Sequence, residues 1–307
     1  MNKAQYITLM ENTLSQAHQS QSPAMPVRKL SLDLGDGFDR HWHGGDAFRT
    51  AYYNALSMSF PLGEQLFINS VQDCAPLLPE PTTEQDVNLR AQIKDFCAQE
   101  ATHRHVHAQY NAQLAQHGLH NHVEERIAKR DAYVKTHGIK PIHRLAVTAA
   151  YEHYTAVFAS ILLANPQTMA GADAQMRKIW MWHAMEESEH KAVAYDVYQA
   201  IGGNYAWRVR WFIYASIVFA FDVLRQTTNN LWHDGTLFKP STWWSATTFL
   251  FGRPSRGNGW MWMMTRPLLD YFKRDFHPWQ HNNRTDLAEY ADAHGTDWRV
   301  VRAGSAA

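Results

Sequence analysis

The chain has 307 residues, with 29 basic and 29 acidic side chains, 18 histidines and two cysteines. Balanced charge and a pI near 7.3 set up no field for nucleic acid, and Cys74 and Cys97 without a Cys-x-x-Cys exclude a disulfide framework or a zinc ribbon. A composition that is 45% hydrophobic over this length can bury a substantial core and shows no bias toward disorder.

Residues 1–44 read as a lead-in, with a short helix at Gln5–Ala17 and a strand-like run at Val27–Leu34. The first residues lack the apolar segment of a secretory signal, so a cytoplasmic location is expected. Helical spacing starts at Asp46, with Phe48, Tyr52, Ala55 and Leu56 on one stripe. Pro61 deletes a backbone donor, which predicts a kink or a fresh helix start just before Glu64. The next helix opens at Thr82-x-x-Gln85, which resembles a capping box, and runs to about Gln116. A polar helix at Val123–Lys135 then reads as a solvated connector.

Pro141 suits the first turn of a third core helix, which carries Leu145, Ala149, Glu152, Ala156 and Ala159 on one stripe and ends near Asn165-Pro166. A fourth core helix is expected from Gly171 to Ile201, with Gly202-Gly203 as its stop and Glu187 and His190 in its middle. The fold class is therefore all-α: a four-helix bundle over 45–203, with an aromatic helical extension over 204–307 packed on it. Within a helix spanning 205–234, the apolar run Trp211–Phe221 is too short to span a bilayer, which takes about 20 residues. The stretch from Trp243-Trp244 to Trp279 reads as a packing layer, with a substrate entrance or a membrane surface as its other roles.

The chemistry lies in a repeat: Glu64, then Glu100 with His103, then Glu152, then Glu187 with His190. Glu64 to Glu100 is 36 residues and Glu152 to Glu187 is 35, while Glu100 and His103 each recur 87 residues later. A Glu-x-x-His pair projects from one helix face into one volume. Oxygen and imidazole donors without thiolate suit iron or manganese, and four carboxylates balance two divalent ions. His107 and His183, one turn from the two pairs, are further ligand or substrate-contact candidates, weighed against ordinary core histidines. Glu186 is a candidate to hydrogen-bond a ligating histidine from the opposite helix, whereas Glu189 is expected at solvent or in a salt bridge. Tyr110, Tyr151 and Tyr154 are read first as packing residues.

The six-residue set resembles the ferritin-like superfamily, which includes ribonucleotide reductase small subunits, acyl desaturases, bacterial monooxygenase hydroxylases and arylamine oxygenases. Longer stretches are similar to a bacterial family of predicted metal-dependent hydrolases: Asn54 to Glu64, Glu186-Glu187-Ser188-Glu189-His190-Lys191, and Phe276-His277-Pro278-Trp279. The resemblance implies a ferritin-like bundle in which Glu64 and His103 serve one ion, Glu152 and His190 the other, and Glu100 and Glu187 bridge both.

The leading expectation is a dinuclear non-haem oxidase or oxygenase, with two iron ions or manganese in their place. O2 would be activated beside Glu100 and Glu187, acting on a hydrophobic small molecule. The alternatives are a metal-dependent hydrolase using a metal-activated water, and a non-enzymatic metal-binding or membrane-associated protein. A small-molecule substrate is expected and a nucleic-acid partner is not; peripheral membrane contact and a homo-oligomer both fit.

Overall fold

The computed structural model describes residues 23–304, which are all-α apart from one two-stranded ribbon. The helix expected at Gln5–Ala17 lies outside the described residues.

Helix α1, Ala47–Cys74, starts at Asp46, whose carboxylate accepts from the Arg49 amide. It runs through Pro61 rather than breaking there. Pro61 has no N–H for the Ser57 carbonyl four residues earlier, and Asn111 of the next helix donates to that carbonyl through Nδ2 at 3.0 Å. Helix α2, Glu84–Gln116, is capped by Thr83 and Asp86, one residue beyond the expected box. The Asp86 carboxylate accepts from the amides of both Thr82 and Thr83 at 2.9 Å, which sets that register. Helices α3, His122–Thr136, and α4, Pro141–Ala164, begin and end close to where the sequence places them.

The expected single helix from Gly171 to Ile201 is instead two, α5 at Ala174–His190 and α6 at Val193–Ala200. The break coincides with a clamp from the C-terminal part of the chain. The buried Lys191 ammonium donates to the His281 carbonyl at 2.6 Å and to Asn283 Oδ1 at 2.8 Å, and lies 4.1 Å from the Trp279 ring centroid. Ser188 Oγ donates back to the Ala184 carbonyl while accepting from Asn283 Nδ2, both at 2.9 Å, a pattern that bends helices. Glu187 and His190 therefore stand in the last turn of α5, not at mid-helix.

Helices α1, α2, α4 and α5 form a ring in which each packs on two others. One apolar cluster holds Leu56, Tyr110, Leu162 and Trp180; the other holds Val71, Phe96, Leu145 and Tyr195. The carboxylates and imidazoles of the repeat fall between these clusters along each helix.

The remaining elements cover the ring from two sides. Helix α7, Tyr205–His233, lies on α1 and α4; α8, Pro240–Phe251, lies on α1; and α9, Trp260–Asp270, lies on α4 and α8. Helix α10, Arg284–His294, packs on α4 and α5. Strand β1, Val27–Leu30, lies on α2 and pairs antiparallel with β2, Trp298–Arg302. It is shorter than the run expected to Leu34. Among the described residues no helix is long and apolar enough to cross a membrane.

Candidate metal centre

All six residues of the repeat come together, fully buried, one Glu each from α1 and α4 and one Glu-x-x-His each from α2 and α5. They fall into two groups that share Glu187. Glu64, His103, His183 and Glu187 make one; Glu100, Glu152, Glu187 and His190 make the other; and in each the donor atoms lie within 4.8 Å of one another. His183 is thus a seventh donor, with Nε2 at 3.0 Å from Glu187 Oε1 and 3.9 Å from Glu64 Oε1. Glu100 groups with the second set and stands 4.0 Å from His103 Nδ1 in the first.

The donor atoms fit metal ions. Both oxygens of Glu64, Glu100 and Glu152, with Glu187 Oε2, His103 Nδ1 and His190 Nε2, are buried without a hydrogen-bond partner. Nine orphaned polar atoms converging on one volume are what cations would satisfy, since isolated buried polar atoms cost free energy.

The outward nitrogens, by contrast, are held. His103 Nε2 donates to Glu186 Oε2 at 3.0 Å, the cross-helix bond expected of Glu186. Arg28 of β1 bonds Glu186 Oε1 at 3.2 Å and grips Glu189 with two bonds of 2.7 and 2.8 Å. Glu189 is accordingly buried in a salt bridge rather than facing solvent. Gln99 Nε2 donates to Glu189 at 2.7 Å and to the Pro26 carbonyl at 3.1 Å, which turns its oxygen toward His190 Nδ1, 3.0 Å away. With Nδ1 donating to Gln99, Nε2 is the nitrogen that faces Glu100, Glu152 and Glu187 and the one left to meet a cation.

A second chain sets His183, and it begins at Pro61. Because Asn111 Nδ2 donates to the freed Ser57 carbonyl, its Oδ1 accepts from the Ser57 hydroxyl at 2.8 Å. That hydroxyl, having donated, accepts from His107 Nδ1 at 2.9 Å, and His107 Nε2 then accepts from His183 Nδ1 at 2.8 Å. His183 Nε2 is left unprotonated and aimed at the carboxylates. Burial, with His103 nearby, pushes the His183 pKa down to about 4, in keeping with a neutral ligand.

Without cations, protons take their place. Burial draws the pKa of His103 down, but Glu186 and Glu187 overcome this and hold it well above the usual imidazole range. Burial likewise opposes His190, which Glu187 and Glu100 raise well above that range. Glu64 and Glu152 are pushed well up by burial and by neighbouring carboxylates, whereas the surrounding imidazoles, His190 foremost, outweigh burial at Glu187 and hold it low.

On the α1–α4 side the centre meets a cavity of about 590 Å³ bounded by α1, α3, α4 and α7. Glu64, Phe60, Phe67, Tyr151, Tyr154 and Phe219 line it, and Lys129, Asp131 and Arg144 are among its charged residues. Helix α3, expected as a solvated connector, contributes Val123, Ile127 and Val134 to this wall. Tyr110 takes no part, its hydroxyl donating to Asn54 Oδ1 at 2.6 Å.

Arg28, Gln99, Ser57 and Asn111 are the residues that sequence reasoning missed. Only Gln99, adjacent to Glu100, had a positional hint; the others reach the centre through tertiary packing.

Fold and centre together define an all-α protein with a buried carboxylate–histidine cluster whose donor atoms could hold metal ions. Over residues 26–282 the chain matches the family of predicted metal-dependent hydrolases, and it belongs to that family. No curated protein and no solved structure matches it.

Proposed function

We propose that this protein is a dinuclear metal-dependent enzyme acting on an apolar small molecule held in the cavity beside Glu64. The single observation that carries the reading is the convergence of nine unpartnered donor atoms on one buried volume, with Glu64 among them lining that cavity. Glu64, His103 and His183 would hold one ion, Glu100, Glu152 and His190 the other, with Glu187 between them. The pattern of one Glu from each of two helices and Glu-x-x-His from the other two is that of ferritin-like dinuclear sites.

The reaction that family membership supports is hydrolysis. Bound divalent ions supply Lewis acidity and a water of lowered pKa. The chain's own residues orient and exclude: Glu186, Gln99 and the Ser57–His107 pair fix the imidazoles, and the aromatic wall keeps bulk water from the centre. Glu64 accepts no hydrogen bond on either oxygen, so only cations would fix the carboxylate that faces the substrate.

A second reading, oxidation by O2 with iron or manganese, is favoured by the cavity's inner end. There the hydroxyls of Ser70 and Thr148 are bonded to each other at 2.7 Å, and Phe60 and Phe67 line the same wall as Glu64, surroundings that suit a hydrocarbon. Elemental analysis with metal exchange separates the readings. Two ions per chain and turnover of apolar esters with zinc are expected for the hydrolase. Turnover confined to the iron- or manganese-loaded protein and dependent on O2 would assign the oxidase, and fewer than one ion per chain under all loadings would overturn both.

A further inference from the structure

We propose that the outer face of α7, α8 and α9 docks on an anionic lipid bilayer. Along α7, Ile213, Ile217, Phe221 and Leu224 form one stripe at helical spacing, and all four are exposed, Leu224 by 68%. Trp243, Trp244 and Phe251 of α8 and Met261, Trp262 and Leu269 of α9 are exposed as well, Trp244 by 73%. Helix α7 packs on α1 and α4, α8 on α1, and α9 on α4 and α8, and the three adjoin through aromatic contacts, Phe158 of α4 meeting both Phe219 of α7 and Trp260 of α9, and Trp260 stacking on Phe249 of α8. A soluble monomer rarely leaves so many large apolar side chains in water without a use for them.

The occupant follows from charge and residue type. From Tyr205 to Asp270 the exposed charged residues are Arg210, Arg225, Lys239, Arg253, Arg256 and Arg266, with no exposed Asp or Glu. Of the three acids in this span, Asp222 is buried against Arg126 and Arg130, Asp234 pairs with Arg40 and His41, and Asp270 pairs with Lys273 and His281. A second copy seated on this face by two-fold symmetry would set cations against cations. An anionic bilayer neutralises them and accepts the indoles at headgroup depth, where Trp is favoured. The indole N–H of Trp243 donates to the Leu237 carbonyl at 2.8 Å and that of Trp262 to the Phe251 carbonyl at 3.1 Å, so these rings are held in place.

Helix α7 also joins the face to the cavity: Tyr214 is exposed, and with Trp211, Val218 and Phe219 it lines the cavity wall. An apolar molecule dissolved in the bilayer would therefore meet the cavity at the edge of the docked surface. No described helix can cross a membrane, so docking is shallow.

The test is co-sedimentation of the full chain with vesicles of phosphatidylcholine alone and of phosphatidylcholine mixed with phosphatidylserine. Binding to the mixed vesicles is expected to exceed binding to neutral ones by about tenfold and to weaken with salt. Trp244→Ser combined with Trp262→Ser should reduce it by about tenfold or more, and Arg253→Glu combined with Arg256→Glu should abolish the preference for anionic lipid. Metal content and circular dichroism, unchanged in both variants, keep this outcome separate from the metal centre and from misfolding. Absence of binding to either vesicle, equal binding to both, or a homodimer in sedimentation velocity that the tryptophan substitutions dissolve would overturn the proposal.

Discussion

On the α2–α5 flank of the centre, His103, Glu186, Arg28, Glu189, Gln99 and His190 form a continuous run of hydrogen bonds. On the α1–α4 flank, Glu64 and Glu152 present four oxygens that accept none. The first flank is backed by β1, the second by α7 and the cavity. Imidazoles in a fixed tautomer and orientation pre-organise a site, and carboxylates left unbonded can adapt as ligands and substrate come and go. On the proposed function, positioning and exchange are therefore divided across a single shared residue, Glu187.

The strongest attack on that division is Glu187→Ala. Because both donor groups include Glu187, the variant should lose both ions by elemental analysis, whereas Glu64→Ala should keep about one. Equal losses in the two variants would break the picture of two groups joined at one carboxylate.

Next in size is Arg28→Met, which strands Glu189 in the interior without a cation and leaves Glu186 with His103 alone. Removing one partner of a buried ion pair costs about 3–5 kcal/mol, and loosening the ligands' hydrogen-bond partners should weaken metal affinity by about 10–100-fold. The opposite flank should respond with the opposite sign. In metal-free protein Glu152→Gln is expected to raise the thermal midpoint, since burial and nearby carboxylates already push Glu152 toward its neutral form. If both substitutions destabilise metal-free protein alike, the flanks do not differ as described.

A titrating group outside both flanks separates the pH response of the fold from that of the centre. His43 is buried beside Tyr53, and burial, aided by Arg49, pushes its pKa down to about 4 from 6.5. It is neutral in the folded chain and takes a proton in the unfolded chain below pH 6.5. Its contribution is thus full above 6.5 and is lost as pH falls toward 4, by up to about 3 kcal/mol. Denaturant unfolding at several pH values should show a shallower acid slope for His43→Gln than for the parent chain, and parallel slopes would refute this assignment.

The two flanks were also unequally legible in the sequence. The six donors are visible because helices impose a spacing, and Glu-x-x-His in near-duplicate is a local pattern that the bundle only has to bring together. Glu186 could be anticipated from the same helix geometry. His183 lies one turn before Glu187, but among eighteen histidines its role depends on Pro61, Ser57, Asn111 and His107 meeting across α1 and α2. Arg28 comes from a strand whose partner lies some 270 residues away in sequence, a pairing no local signal announces. The end of α5 at His190 was hidden for the same reason, since Lys191 and Ser188 are met there by Asn283.

The smallest expected effect lies on the exchange flank, at Gly63. It sits inside α1 beside Glu64 and lines the cavity, and no atom lies within 4 Å of where its Cβ would stand. Glycine in a helix interior costs roughly 0.5–1 kcal/mol relative to alanine, so Gly63→Ala should stabilise the chain by about that amount. Gly63→Leu should also fold and keep its metal, but its side chain would occupy the inner end of the cavity. An apolar fluorescent probe titrated into the two variants should bind Gly63→Ala like the parent chain and Gly63→Leu more weakly, with metal content unchanged in both. Equal probe binding in Gly63→Leu and the parent chain would mean that the space beside Glu64 is not the one an apolar ligand uses, and the exchange role of the α1–α4 flank would lose its structural basis.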